Sequence, residues 1–173
     1  YDRLLNNNQF MTQIVERKMG KIRSGYPPST EIKRVTRILH EAERPLIYVS
    51  DGVWKSGAEK AVVTLAEYFG IPVSTIFADL KSFPITHPLH CGRFAQAVEA
   101  INPDYIVCIG LRHSGDGSPN DYSPFVNARK VVAIGSDGEN LVNIPGLDMA
   151  ILGDELRSIE KINEIAHSEY DPS

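Results

Sequence analysis

The stretch R-P-L-I-Y-V-S-D-G-V-W-K-S-G-A, Arg44 to Ala58, decides the fold. Leu46–Val49 is a short apolar run with β-branched members, bounded in front by Pro45, the pattern of a buried strand. Ser50-Asp51-Gly52 breaks the run with turn chemistry. Ser56 stands three residues before Glu59, the spacing of a capping box, which predicts a helix opening there. Strand, glycine-containing turn and helix N-terminus place free N–H groups and the positive end of a dipole where a nucleotide's phosphates bind. The same residues also suit a tight βα turn that only lets helix and sheet pack. Either way the stretch predicts an α/β fold.

The familiar nucleotide motifs are not met. Gly52 and Gly57 have the outer glycine spacing of G-x-x-x-x-G-K-[S/T], but Ala58 and Glu59 stand where the phosphate-binding Lys and the metal-binding hydroxyl belong. G-x-G-x-x-G is absent as well.

The chain of 173 residues suits one α/β domain, and 42% hydrophobic with 23% charged residues is ordinary for a globular protein. A net charge of −4 without a basic run argues against nucleic acid or an anionic membrane as partner, since both require concentrated positive surface. No apolar segment approaches spanning length and no secretory pattern opens the chain, so a cytoplasmic setting is expected. Cys91 and Cys108 form no C-x-x-C, and Cys108, inside the apolar run Tyr105–Ile109, reads as a buried small hydrophobe.

In chain order, residues 1–29 read as a partly helical extension and linker, and the absence of an opening Met or strand suggests a piece of something longer. Residues 30–168 read as the domain and 169–173 as a tail. Thr30–Glu43 is predicted helical, with Ile32, Val35, Leu39 and Ala42 on one stripe. A helix from the capping box to Phe69 repeats apolar residues from Ala58 through Ala61, Val62, Leu65 and Ala66, and Gly70 and Pro72 end it. Strands are expected at Val73–Phe77, Tyr105–Gly110, Lys130–Gly135 and Met149–Leu152, and a helix at Arg93–Ile101. Asp154 caps a last helix through Leu156, Ile159, Ile162 and Ala166. Apolar strands alternating with helices predict a three-layer α/β/α, Rossmann-like domain with a mainly parallel sheet of five to six strands.

Ligands of such sheets bind beyond the carboxyl ends of the strands. Ser50–Lys55, Ala78–Gly92, Leu111–Arg129 and Ser136–Asn143 emerge there, and the second and third are longer than packing requires. Arg112, just after Gly110, is placed to reach a pyrophosphate or to pair with Asp116 or Asp121. Asp137 suits a ribose or adenine contact, or a turn before Gly138. His87, His90 and Cys91 form H-x-x-H-C with His113 elsewhere, a set too loose for a zinc site, and Cys91 lacks an orienting group for a nucleophile. No catalytic centre and no metal site is expected from the residues.

The string E-R-P-L-I-Y-V-S-D-G-V-W-K-S-G-A-E-K-A-V-V-T-L-A-E-Y-F-G-I-P-V-S-T resembles the middle domain of thiamine-diphosphate-dependent enzymes of the acetolactate synthase type. K-S-F-P-I-T-H-P-L-H-C-G from Lys81 is similar to that family's F-P-x-x-H-P-L-x-x-G. D-Y-I-V-C-I-G-L-R, K-V-V-A-I-G-S-D-G and A-I-L-G-D continue the series, which covers about Gly25–Ala166. The resemblance implies a central structural, nucleotide-binding-like domain of a 2-oxo acid decarboxylase or carboligase. Thiamine diphosphate and Mg²⁺ would then sit between flanking pyrimidine- and diphosphate-binding domains of the same polypeptide, in a homo-oligomer. It also implies either FAD or an ADP-type nucleotide in this domain, at Ser50, Asp51, Gly52, Gly110, Arg112, Ser136, Asp137 and Asp154, or the same site left empty, as relatives of both kinds exist. The turn is S-D-G where flavin-binding relatives favour glycines, and I-G-S-D stands for the family's I-D-I-D. Gly115-Asp116-Gly117 matches the metal motif G-D-G in letters only. The alternative is a stand-alone FAD-, ADP- or CoA-binding module, or a complex subunit, on the same fold.

Overall fold

Alternation within each strand sorts side chains to two faces, and the computed structural model shows both faces covered. It describes residues 27–76, 81–111, 125, 128–144 and 146–171. Strands β1 (Pro45–Val49), β2 (Val73–Thr75), β3 (His90–Arg93), β4 (Tyr105–Ile109), β5 (Lys130–Gly135) and β6 (Leu147–Leu152) form one six-stranded sheet. Its order is β3-β2-β1-β4-β5-β6, with every pairing parallel. The helices are α1 (Ser29–Glu41), α2 (Gly52–Ser56), α3 (Glu59–Phe69), α4 (Phe94–Ile101), α5 (Gly138–Val142) and α6 (Glu155–Tyr170).

In-register pairing aligns Val73, Ile47, Val107, Val132 and Met149 as one apolar row across five strands. That row lies in the core formed with α1, α3 and α6, through Ile32, Val35, Leu65 and Ile159. The alternate residues Leu46, Tyr48, Ile106, Cys108 and Ala133 face a second core with Phe94 of α4 and Leu141 of α5. Period-two alternation in continuously apolar strands thus serves two cores, the physical reason such strands look uniformly hydrophobic. At the amino end of the sheet the Asp104 carboxylate accepts from the N–H groups of Glu43 and Arg44 at 3.1 and 2.9 Å, tying the start of β4 to that of β1.

Three local expectations are corrected. Ser56 and Glu59 form no capping box: Ser56 Oγ donates back to the carbonyls of Gly52 and Val53, and Ala58 precedes α3 without a side-chain cap. The chain coils straight after β1 because Val53 is drawn fully into the core, and Gly57 at φ +75° ends that short helix before α3 begins. The connection Ala78–Gly92 contains the start of an edge strand, β3, unseen in the sequence because H-C-G-R carries no β-branched residue. The segment Ser136–Asn143 contains α5 rather than only a loop.

Candidate functional site

The order 3-2-1-4-5-6 reverses between β1 and β4, and there the chains leaving the two strands run apart. Glycine controls what happens at this switch point. A Cβ on Gly52 would lie 2.6 Å from the Gly110 Cα, and one on Gly110 would lie 2.7 Å from the Val53 nitrogen. The Gly52 N–H donates to the Gly110 carbonyl at 3.1 Å, and Gly110, at φ +62°, donates its own to Ile134 at 2.9 Å. The two glycines therefore serve a backbone-to-backbone seam. Ser50 is buried beneath it, donating its N–H to Ile109 and accepting at its carbonyl from Val53 and from Ser82 Oγ.

Above the seam lies a cleft of about 330 Å³ reached by Gly52, Lys55, Ser136, Asp137, Asp154 and Glu155, among others. Sequence reasoning placed Gly52, Gly110, Ser136, Asp137 and Asp154 at one edge, and the structure brings these five together. Arg112 lies outside the described residues, as do His113 and Gly115-Asp116-Gly117. Lys55 and Asn140, from segments expected at this edge but not singled out, join the lining, and so do Ser56 and Glu155, which lie outside those segments. Glu155, one residue after the expected cap, was open to detection as an acid in the first turn of a helix at this edge.

Each acid here already has donors. Asp137 Oδ1 accepts from the N–H groups of Glu139 and Asn140 at 3.0 and 3.4 Å, and Oδ2 from Asn140 Nδ2 at 2.8 Å. Asp154 Oδ1 accepts from the Arg157 N–H at 2.9 Å. Glu155 Oε1 accepts from both the N–H and the hydroxyl of Ser136 at 3.1 Å. Burial pushes the Glu155 carboxyl above its ordinary range, and the hydrogen bonds from Ser136 oppose that shift. Asp51, at the start of α2, holds Lys55 Nζ at 2.7 Å.

The loop before β3 serves the core. Phe83 is fully buried with its ring against His87 and His90, at centroid distances of 5.0 and 6.3 Å. His87 Nδ1 accepts from the Leu89 N–H and its Nε2 faces Glu67 Oε1 at 3.2 Å. That network assigns the proton to Nε2 and leaves no ring lone pair for a metal. Burial lowers the His90 pKa and pushes the Cys91 thiol up to about 11, so Cys91 is protonated near neutrality. Among the described residues no group of three or more His, Cys, Asp or Glu side chains could hold a metal ion. No described helix is long and apolar enough to cross a membrane.

A parallel sheet in this order, with helices starting at its carboxyl edge over a glycine seam, defines a doubly wound, Rossmann-like domain. The family described as "Thiamine pyrophosphate enzyme, central domain" matches residues 32–162, and the chain belongs to it. It is 30% identical over 144 residues to the acetolactate synthase large subunit of Corynebacterium glutamicum, covering 80% of this chain and 23% of that protein. It is 33% identical over 141 residues to the probable acetolactate synthase large subunit of Methanocaldococcus jannaschii, covering 75% of this chain and 24% of that one. The chain thus spans about a quarter of the length of these curated relatives. A solved putative thiamin diphosphate-dependent enzyme from Mycobacterium smegmatis superposes with a TM-score of 0.68 at 22% identity, over 84% of this chain and 30% of that one. Benzoylformate decarboxylase from Polynucleobacter necessarius gives 0.65 at 18%, over 83% and 28%. These two likenesses establish the fold.

The described residues do not fit the cofactors that the family implies. Thiamine diphosphate needs a metal group to anchor its phosphates, and the described residues hold none. A flavin or ADP would bring a diphosphate to an edge whose described walls carry Asp137, Asp154 and Glu155 against Lys55, which Asp51 already holds.

Proposed function

We propose that this chain is the structural centre of a larger thiamine-diphosphate-dependent enzyme that forms or cleaves a carbon–carbon bond beside the carbonyl of a 2-oxo acid, as a carboligase or decarboxylase. The observation that carries this reading is the family match along residues 32–162 in a chain spanning about a quarter of its acetolactate synthase relatives. The domain is taken as residues 30–168, with α1 opening at Ser29 and α6 ending at Tyr170 at its limits. On this reading flanking pyrimidine- and diphosphate-binding domains hold thiamine diphosphate through Mg²⁺, and the cofactor supplies the carbanion chemistry there. The whole protein is proposed as a cytoplasmic homo-oligomer.

The role left to this chain is mechanical. Two apolar cores on one parallel sheet make a rigid block on which neighbouring domains are held at fixed separation. The test is the parent reading frame and its product: thiamine-dependent release of CO₂ from a 2-oxo acid, abolished by chelating divalent metal. A parent frame without flanking thiamine-binding domains, or a full-length product inert towards every 2-oxo acid tried, would sink the reading.

The alternative reading, a self-sufficient module for FAD, ADP or CoA, would seat its ligand in the cleft of about 330 Å³ against the carboxylates on its wall. Its ligand would contact Ser50, Asp51, Gly52, Gly110, Arg112, Ser136, Asp137 and Asp154. Titrating the chain with FAD, ADP, CoA and NAD separates the two readings, since tight binding lost in Arg112→Ala belongs only to the second.

A further inference from the structure

We infer that the carboxyl edge of this sheet supplies its own anions, and that the domain therefore takes no flavin or adenine dinucleotide diphosphate. Helices α2, α5 and α6 all begin at this edge, after β1, β5 and β6, where a bound diphosphate would look for backbone N–H donors. Each start instead carries an aspartate of the chain: Asp51, Asp137 and Asp154. The N–H groups of Glu139, Asn140 and Arg157 already donate to the last two.

At α2 the donors go to backbone. Gly52 donates to the Gly110 carbonyl, Val53 to Ser50 and Lys55 to Asp51, at 3.0–3.1 Å. Lys55, the cation among the described lining residues of the cleft, is engaged by Asp51 at 2.7 Å. Helices α2 and α5 are only five residues long, so their dipoles offer an incoming anion little compensation. Glu155 adds a further buried carboxyl to the same wall, with Ser136 bound to it. A diphosphate entering here meets carboxylates at short range and finds the N–H groups of Gly52, Val53, Lys55, Glu139, Asn140 and Arg157 already donating within the chain, an arrangement of like charge that disfavours the ligand.

The inference goes beyond the thiamine reading and does not rest on it, because its test reads nucleotide binding and not turnover. Full-length protein purified without added nucleotide is denatured, and the released fraction is analysed for flavin and ADP. The folded protein is then titrated with FAD and with ADP, following Tm and calorimetric heat. The expected results are no released nucleotide, no flavin absorbance and no rise in Tm. The triple variant Asp51→Asn, Asp137→Asn, Asp154→Asn removes three charges; Asn can keep the caps made by Asp137 and Asp154, and Asp51 makes no side-chain cap to lose, so the fold is kept. It should bind ADP at least about tenfold more tightly than the native protein. Stoichiometric flavin or ADP in the native protein would overturn the inference, and its loss in Arg112→Ala would place that ligand on the segment after Leu111. A triple variant that folds but gains no affinity would overturn it as well, since the carboxylates would then not be what excludes the anion.

Discussion

Gly110 and Gly57 both take left-handed backbone, at φ +62° and +75°, yet an added methyl group would meet different surroundings at each. At Gly57 nothing lies within 4 Å of the new Cβ. At Gly110 it would lie 2.7 Å from the Val53 nitrogen and 2.8 Å from two backbone atoms of Gly52, none able to rotate away. The left-handed conformation costs an L-residue about 1–2 kcal/mol. A stiffer unfolded chain returns about 0.4–1 kcal/mol of that. Gly57→Ala should therefore lose about 0.5–1 kcal/mol. Gly110→Ala bears the same loss plus overpacking of about 1–3 kcal/mol, because β1 and β4 must part for the methyl to fit. The sum, roughly 2–4 kcal/mol, is a large share of the 5–15 kcal/mol that holds an ordinary domain. For a chain of this size it lowers Tm by roughly 5–15 °C. Urea denaturation of the two variants beside the parent measures this as a shift in midpoint at constant slope. If Gly110→Ala matched Gly57→Ala, or the parent, the seam between the two strand ends would not be the close contact on which the site's geometry rests.

Three further outcomes are expected. Phe83→Ala should lose about 3–5 kcal/mol, because a fully buried ring between His87 and His90 leaves a cavity that two fixed imidazoles cannot close, and a loss under 1 kcal/mol would show the loop to be only laid on the surface. Asp154→Ala should cost about 1 kcal/mol by uncapping α6, while Asp154→Asn should stay near the parent in the same melts. Glu155 titrates above its unfolded value, so its contribution is full below the unfolded pKa and fades as pH rises through the raised one. Glu155→Gln can still accept both bonds from Ser136, so its stability relative to the parent should improve from pH 4 towards neutrality. A difference independent of pH would refute the burial argument.

Much of the architecture was legible in the chain. Leu46–Val49, Tyr105–Ile109 and Lys130–Gly135 read as strands because both of their faces are buried, and the structure places strands there. The stripe Ile32, Val35, Leu39 read as a helix for the converse reason, since one face meets water. Asp154 read as a cap and is one. The capping box failed because its spacing is a statement about sequence, while the outcome turned on burial of Val53 and the left-handed Gly57. β3 was hidden because an edge strand, paired on one side and half-buried, imposes little on its residue types.

By itself, the sequence determined the class of fold, the order of its elements and the family, since these follow from local periodicity and from short motifs in series. Tertiary structure alone decided which partners the groups at the carboxyl edge meet. Gly52 and Gly110, 58 positions apart, could each have admitted a ligand's phosphates, and parallel pairing of β1 with β4 in register pressed them against each other instead. Asp137, Asp154 and Glu155 could each have awaited a ribose, and their own helix starts and Ser136 bonded them first. A glycine's freedom and a carboxylate's charge are properties of a residue. Which neighbour uses them is settled by packing across the sheet.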